Sequence, residues 1–373
     1  MNKIRKWKWL AGVVVVAFAS GTWVYTERTF GTDPLSYWRY PISQPNRIHL
    51  YTDEQAQLEE KRVRWLRFGT QSQTLWVNHT STRGEEQSVI NRWDIETESP
   101  TTIFSDPILP ASAISASEGR KRFMTAGNAP TVQLWDVKTG ALKKTFAQSN
   151  VQSNRSMHRA ILSPTDDVIA AAQYDDDSQR WQVGLWDAQT GEQRQTLASV
   201  DLLPTIRFSP QGSFLAIATA NAVQLRSTNA EINTAPIWKI SAEEASQSDY
   251  PNATFPLSFS NDGTRLTISR SQNSDSVQLQ QIQVDTGEIL HNLTLELGGY
   301  IQPVASPNGE IAAYVSENED TRQKEISLIE IATGKAVQTI TTERTDPRDI
   351  RSLAFSPDGN MLASAYSSGS IDV

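Results

Sequence analysis

Seven times along this chain an apolar run stops at a small polar turn and a second apolar run begins. The form is clearest at Ser352–Tyr366, SLAFSPDGNMLASAY, where Phe355 precedes a Ser356-Pro357-Asp358-Gly359 turn. It recurs at Phe208-Ser209-Pro210-Gln211-Gly212, Phe259-Ser260-Asn261-Asp262-Gly263 and Ala305-Ser306-Pro307-Asn308-Gly309. Weaker forms stand at Leu162-Ser163-Pro164, Ile114-Ser115 and Phe68-Gly69. The residues just before the turn are therefore 68, 114, 162, 208, 259, 305 and 355, spaced 46 to 51 apart. A unit repeated at that period cannot bury its apolar face alone, so it must stack on its own copies.

Each unit has a second half. Thr131–Phe146, TVQLWDVKTGALKKTF, alternates apolar and polar residues, passes through Trp135-Asp136 and a Thr139-Gly140 turn, and alternates again. Period-two alternation places side chains on opposite faces of a strand, and the polar, glycine-containing interval has hairpin chemistry. The same half-unit reads SVINRWDIETESPTTIF at Ser88–Phe104 and WQVGLWDAQTGEQRQTL at Trp181–Leu197, with Trp93-Asp94 and Trp186-Asp187. Weaker copies occupy Ala222–Trp238, Ser276–Leu293 and Ile326–Ile340; Gly191, Gly287 and Gly334 stand in the turns of the Trp181–Leu197, Ser276–Leu293 and Ile326–Ile340 copies. Two hairpins per unit give four antiparallel strands, repeated seven times.

At these residues the chain resembles the WD-repeat β-propeller family, over roughly Arg47 to Val373. The resemblance implies an all-β fold, a seven-bladed propeller of four-stranded antiparallel blades. In it Trp93, Asp94, Trp135, Asp136, Trp186, Asp187, Gly140, Gly191, Gly287, Gly334, Asp358 and Gly359 are repeat residues with a structural role. One feature departs from the family: its repeats often carry a Gly-His pair, and none occurs here. That absence leaves packing between blades to hold the ring largely alone. Trp135 and Trp186, at the ends of third strands, are expected to fill the space between blades.

The ring needs closing. The seventh repeat supplies Ile350–Phe355, Met361–Tyr366 and a short Ser370–Val373, and lacks a fourth strand. Arg47–Thr52, RIHLYT, is a strand-like segment left over at the front, so it is expected to complete that blade and remove an open edge. The alternative is a C-terminal piece beyond Val373, where other repeats have Trp-Asp. Three segments result: residues 1–25, a signal or anchor segment; 26–46, a linker with Pro34, Pro41 and Pro45; and 47–373, the propeller.

The first segment opens with Lys3, Arg5, Lys6 and Lys8, followed by 17 uncharged residues from Trp9 to Tyr25. As an anchor this is a short membrane span, with Trp7, Trp9, Trp23 and Tyr25 at the two interfaces. As a signal peptide it offers Leu10–Val16 and an A-x-A site at Ala17–Ala19. Either way the basic head stays in the cytoplasm, and the chain beyond Tyr25 lies on the extracytoplasmic side. The expectation is a single-pass membrane protein held by residues 9–25, or a secreted or periplasmic one after cleavage near Ala19.

Charge narrows the partners. The chain carries −8, of which the first 25 residues contribute +4, leaving −12 on the rest. An acidic ring without a basic cluster is a poor nucleic-acid binder, so none is expected. There are no cysteines, which excludes disulfides and thiolate chemistry. Asp175-Asp176-Asp177 lacks the glycine and spacing of a calcium loop and reads as a solvated turn. The four histidines have no metal-ligand or catalytic spacing, and neither a phosphate loop nor a nucleophile elbow is present. No catalytic residue, cofactor or metal is expected.

Function is therefore expected in the loops. The second-to-third-strand loops and inter-blade loops of a propeller share one side, and several here are long and charged. Candidate partner-binding residues are Glu85 and Glu86 in the first repeat, Asp175, Asp176 and Asp177 in the third, Glu317 and Glu319 in the sixth, and Arg344 and Arg348 between the sixth and seventh. The reading is a non-catalytic protein-interaction scaffold in the cell envelope. The alternative is an exported propeller that binds a small molecule, or catalyses hydrolysis or oxidation, at its central channel. The Asp136-to-Gly140 turn is similar to that of quinone-dependent dehydrogenase propellers. Those repeats tend to end in a docking Trp, whereas here the positions are Phe146 and Leu197, which disfavours this alternative.

Overall fold

The computed structural model describes residues 49–51, 61–69, 72–81, 87–106, 113–116, 122–126, 131–136, 139, 141–147, 157–165, 167–175, 177–219, 221–229, 234–241, 257–272, 275–298, 301–318, 321, 324–341, 350–366 and 370–373. The chain divides into two compact units, Met1–Arg47 and Ile48–Val373. The anchor or signal segment and the linker lie outside the described residues. No helix among the described residues is long and apolar enough to cross a membrane.

The second unit is seven four-stranded antiparallel sheets, a seven-bladed propeller. The first blade holds β2 (Lys61–Phe68), β3 (Thr74–Ser81), β4 (Gln87–Asp94) and β5 (Ser99–Asp106). The second holds β6 (Ala113–Ala116), β7 (Arg122–Ala126), β8 (Thr131–Asp136) and β9 (Leu142–Ala147). The third holds β10 (Met157–Leu162), β11 (Val168–Asp175), β12 (Arg180–Asp187) and β13 (Gln193–Val200), and the fourth β14 (Thr205–Phe208), β15 (Phe214–Ala218), β16 (Ala222–Ser227) and β17 (Trp238–Ser241). The fifth holds β18 (Leu257–Phe259), β19 (Arg265–Ser271), β20 (Ser276–Gln283) and β21 (Ile289–Glu296), and the sixth β22 (Val304–Ala305), β23 (Ile311–Glu317), β24 (Lys324–Glu330) and β25 (Ala336–Thr341). In the seventh, β26 (Ile350–Phe355), β27 (Leu362–Tyr366) and β28 (Ile371–Asp372) are joined by β1 (His49–Tyr51), in the order β1-β28-β27-β26. His49 lies opposite Asp372 and Tyr51 opposite Ile371, so the two ends of this unit share one sheet.

The Ser-Pro-x-Gly turns form as their chemistry demands. In five blades a buried serine (163, 209, 260, 306 or 356) closes the turn between the first two strands. Its Oγ accepts the amide five residues on, at 2.9–3.1 Å, satisfying a backbone donor that the bend would orphan. Ser260, Ser306 and Ser356 also donate to Asp262, Asn308 and Asp358 at 2.5–2.6 Å. The turn ends left-handed, with φ of 71° to 75° at positions 212, 263, 309 and 359, a conformation that glycine adopts without steric cost. Adjacent turns also touch: the Asn261 amide donates to Pro307 O at 2.7 Å, and Asn261 Nδ2 reaches Pro357 O, two blades away, at 2.9 Å.

Among the described residues each apolar cluster joins two neighbouring blades: Leu134 and Met124 with Trp186 and Ile169, Leu185 and Val183 with Phe208 and Leu215, Leu225 and Trp238 with Leu266 and Ile282. The fifth and sixth blades meet through Leu279, Leu295 and Ile329, and the first meets the seventh through Trp93, Leu75, Ala363 and Ala365. The second strands carry the small residues, such as Ala170–Ala172, Ala216, Ala218, Ala312, Ala313, Ala363 and Ala365, all buried. Small side chains let sheets close to contact there, while bulkier Trp186 and Trp238 fill the third and fourth strands, consistent with interiors packed to near-crystalline density.

The outermost strand adds a recurring tie to the following blade. Trp238 Nε1 donates to Val284 O at 2.7 Å, and its ring lies over Gly287, where an added Cβ would come within 2.7 Å. Leu293, two residues further along its strand by register, packs against Gly334; Gln195 Nε2 reaches Thr228 O at 3.2 Å, and Lys144 Nζ bonds Gln189 O. Register identifies Lys144, Gln195 and Trp238 as equivalents, opposite Leu134, Leu185 and Leu225. In the second, third and fourth blades the tie thus comes from two residues before the position of Phe146 and Leu197, and in the fourth it is a Trp, whereas in the fifth Leu293 makes it from Phe146's own register. Polar ties, not packing alone, link the blades.

The third-strand tryptophans divide. Trp93 and Trp186 are buried. Trp135 is half-buried, stacked on Phe123 with ring centroids 5.9 Å apart, and its Nε1 donates to Thr125 Oγ1 at 3.0 Å. Trp186→Ala should therefore cost about 3–5 kcal/mol in chemical denaturation, the range for a large core truncation, and Trp135→Ala about 1–3 kcal/mol. Equal losses would place the two at equivalent depth. Removing residues 1–45 should leave the melting temperature unchanged. Removing residues 1–53 takes away β1, exposes the edge of β28 and should cause aggregation or loss of cooperative melting.

Candidate functional site

In a four-stranded meander the first and third connections lie at one end, and the second connection and the inter-blade loop at the other. At the first end the Trp-Asp aspartates act as turn caps. Asp94 Oδ1 accepts from the amide and Oγ1 of Thr97 at 2.9 and 3.0 Å, and Asp136 accepts from the same atoms of Thr139, both at 2.9 Å. Asp187 accepts the amides of Gln189 and Thr190 at 2.7 and 2.8 Å, and pairs with Arg194 at 2.7 Å. Glu330 Oε2 accepts from Thr333 Oγ1 at 2.6 Å. Gly191, Gly287 and Gly334 follow at φ of 70° to 80°; Glu98 takes that place in the first blade at φ 50°. Gly140 lies outside the described residues.

At the other end the hairpins are braced at their bases. In the third blade Tyr174 and Trp181 face each other across β11 and β12, in edge contact at 5.3 Å, both half-buried. Beside them Arg180 pairs with Asp201 at 3.2 Å and donates to Ser199 O at 3.1 Å. Asp175 accepts from Ser178 Oγ at 2.7 Å, and Asp177 is exposed at the tip. In the sixth blade Glu317 pairs with Lys324, and Asn318 Nδ2 donates to Glu325 Oε1 at 3.2 Å. The structure thus places Asp175, Asp177 and Glu317 at this end, on blades that are not neighbours. Glu85, Glu86, Asp176, Glu319, Arg344 and Arg348 lie outside the described residues. Among the described residues, no group of three His, Cys, Asp or Glu side chains is arranged to hold a metal ion.

Charge in the loops points past Tyr174 and Trp181, which the candidate rim residues do not include. Their signal is present in the sequence: two aromatics flanking the Asp175–Arg180 hairpin, in register across it. Aromatic side chains are enriched at interface cores, whereas Asp and Glu are depleted there.

Comparison with known proteins agrees with this architecture. Residues 334–373 match the family described as "WD domain, G-beta repeat". The solved β-propeller domain of Cps50 (Swd1) from Myceliophteria thermophila is similar, with a TM-score of 0.59 at 17% identity, covering 83% of this chain and 95% of that one. No curated protein matches the sequence. The likeness establishes the fold: a seven-bladed propeller whose last repeat carries a WD signature.

The turn aspartates have a consequence in acid. Hydrogen bonds from Thr97, Thr139 and Arg194 hold Asp94, Asp136 and Asp187 below the ordinary carboxylate range. A depressed folded-state pKa stabilises fully above the unfolded value, about 3.9, and that stabilisation is lost as pH falls through the folded value. Asp187→Asn should therefore lower the melting temperature at pH 6, with the deficit shrinking as pH falls from about 4 toward 2. A deficit that grew in acid would contradict the assignment.

Proposed function

We propose that this protein is a non-catalytic protein-interaction scaffold whose partner docks on the end carrying the second connections and inter-blade loops. The observation that carries the reading is the half-buried Tyr174–Trp181 pair, braced by Arg180–Asp201 at the mouth of a rigid hairpin. Such a pair offers a large apolar surface with little side-chain entropy left to lose, and an ion pair at its edge, the pattern of an interface anchor. A WD match over residues 334–373 supports the same class, since propellers commonly present loops on a fixed ring. The fold alone does not set a function, so the docking surface is inferred from this chain's own residues.

We further place the ring on the extracytoplasmic side of a membrane, tethered by residues 9–25. The support is the Lys3–Lys8 basic head and the uncharged Trp9–Tyr25 stretch with aromatics at both ends. A negative charge of −12 on the remainder would keep it off an anionic lipid surface, leaving contact to that segment.

The test is affinity capture from detergent-solubilised envelopes with the full chain, quantified by mass spectrometry. Wild type should retain a defined partner, and Trp181→Ala with Tyr174→Ala should lower retention at least tenfold without moving the melting temperature by more than a few degrees. Retention unchanged in a folded double variant would contradict this docking surface.

A further inference from the structure

Arg270 stands near the end of β19, and its side chain is 93% withdrawn from solvent. Leu266 and Ile268 precede it at period two on the face packed against Ala216, Val223 and Leu225 of the fourth blade. Gln280 lies opposite Ile268 and Ile282 opposite Leu266, so Gln280 shares that face. Arg270 pairs with Gln278, which makes Arg270 and Gln280 diagonal neighbours, within reach of long side chains. Nη2 of Arg270 and Oε1 of Gln280 are both buried without a hydrogen-bond partner. The nearest polar pair on the strand, Ser269 with Gln302, belongs to the opposite face. Burial lowers the guanidinium's pKa, and among the described residues no carboxylate is placed to compensate it.

A buried, unpaired cation is among the most costly features a fold can retain. The geometry points to a carboxylate-binding site between the fourth and fifth blades, formed by the Arg270 guanidinium and the Gln280 amide. Rotating that amide by half a turn puts its N–H₂ where Oε1 now stands, so two donors converge on one guest. The guanidinium fork matches a carboxylate in a bidentate fashion. A monoanion cancels the single positive charge, whereas a phosphate dianion would leave a buried negative charge inside a ring already at −12. Arg270 is near the same end of the ring as Tyr174 and Trp181. The carboxylate's source is therefore an acidic side chain or C-terminus of the docked protein. That source rests on the docking reading; the site itself does not.

Thermal melting of the full chain in detergent separates these. Sodium acetate, against sodium chloride at equal ionic strength, should raise the wild-type melting temperature in a concentration-dependent way. Arg270→Met should melt higher than wild type in chloride, because a stored charge is removed, and should gain nothing from acetate. Gln280→Leu, the milder change, should keep part of the acetate response. An N-acetylated acidic pentapeptide should reach the same shift at one-tenth of the acetate concentration or less. Acetate acting without tighter peptide binding would support the site and overturn the peptide source. Equal acetate shifts in wild type and Arg270→Met, or no shift in wild type, would overturn the site. So would Arg270→Met melting below wild type with no acetate effect, since Arg270 would then be satisfied within the fold.

Discussion

The structure depends on one constraint: among the described residues, the apolar clusters of each four-stranded sheet are shared with a neighbouring sheet. Leu185 points toward the next blade and Trp186 toward the previous one, two residues of one strand serving two interfaces. A sheet taken alone would expose both faces, so blades stabilise one another as neighbours in a repeat array do. A linear array leaves two unsatisfied faces, and closure removes them: the first blade's Leu75 and Trp93 meet the seventh blade's Ala363 and Ala365. The strand β1, drawn from the start of the second unit, then completes the sheet at the joint.

Two sets of polar contacts sharpen this packing into a defined geometry. Buried serines fix the turns between first and second strands, so successive turns meet with donors satisfied. Outer-strand residues at the Trp238 position bind the next blade's turn, setting the angle between sheets at their widest separation. With the inner and outer edges of the sheets fixed at this end, the hairpins at the opposite end stand on a stiff base. A partner meeting them faces little loss of framework entropy, the usual reason that rigid rings present variable loops.

Most of this fold was legible in the sequence because its signals are local and repeated. Period two, Ser-Pro-x-Gly and Trp-Asp each act within a few residues, and seven copies average out the weaker ones. What was not legible depends on register between strands. Phe146 and Leu197 share a face with the docking position, so alternation alone could not separate them from Lys144 and Gln195. Trp135 reads like Trp186, yet it is only half-buried, stacked on Phe123, its cross-strand partner in the same blade. Arg270 and Gln280 are ten residues apart and carry no motif; only pairing and burial bring them together. The candidate rim was legible as charge, whereas the anchor proposed for it, Tyr174 with Trp181, is aromatic.

The central claim is that the ring unfolds as one unit because its apolar clusters are shared between blades. Native-state hydrogen exchange on the full chain tests it, comparing wild type with Leu266→Ala, a truncation of a fully buried side chain between the fourth and fifth blades. The account expects β27, on the seventh blade, to lose global protection by the same amount as β19, about 2–5 kcal/mol. Loss confined to the fourth and fifth blades, with β27 unchanged, would mean that the blades open independently and would contradict it.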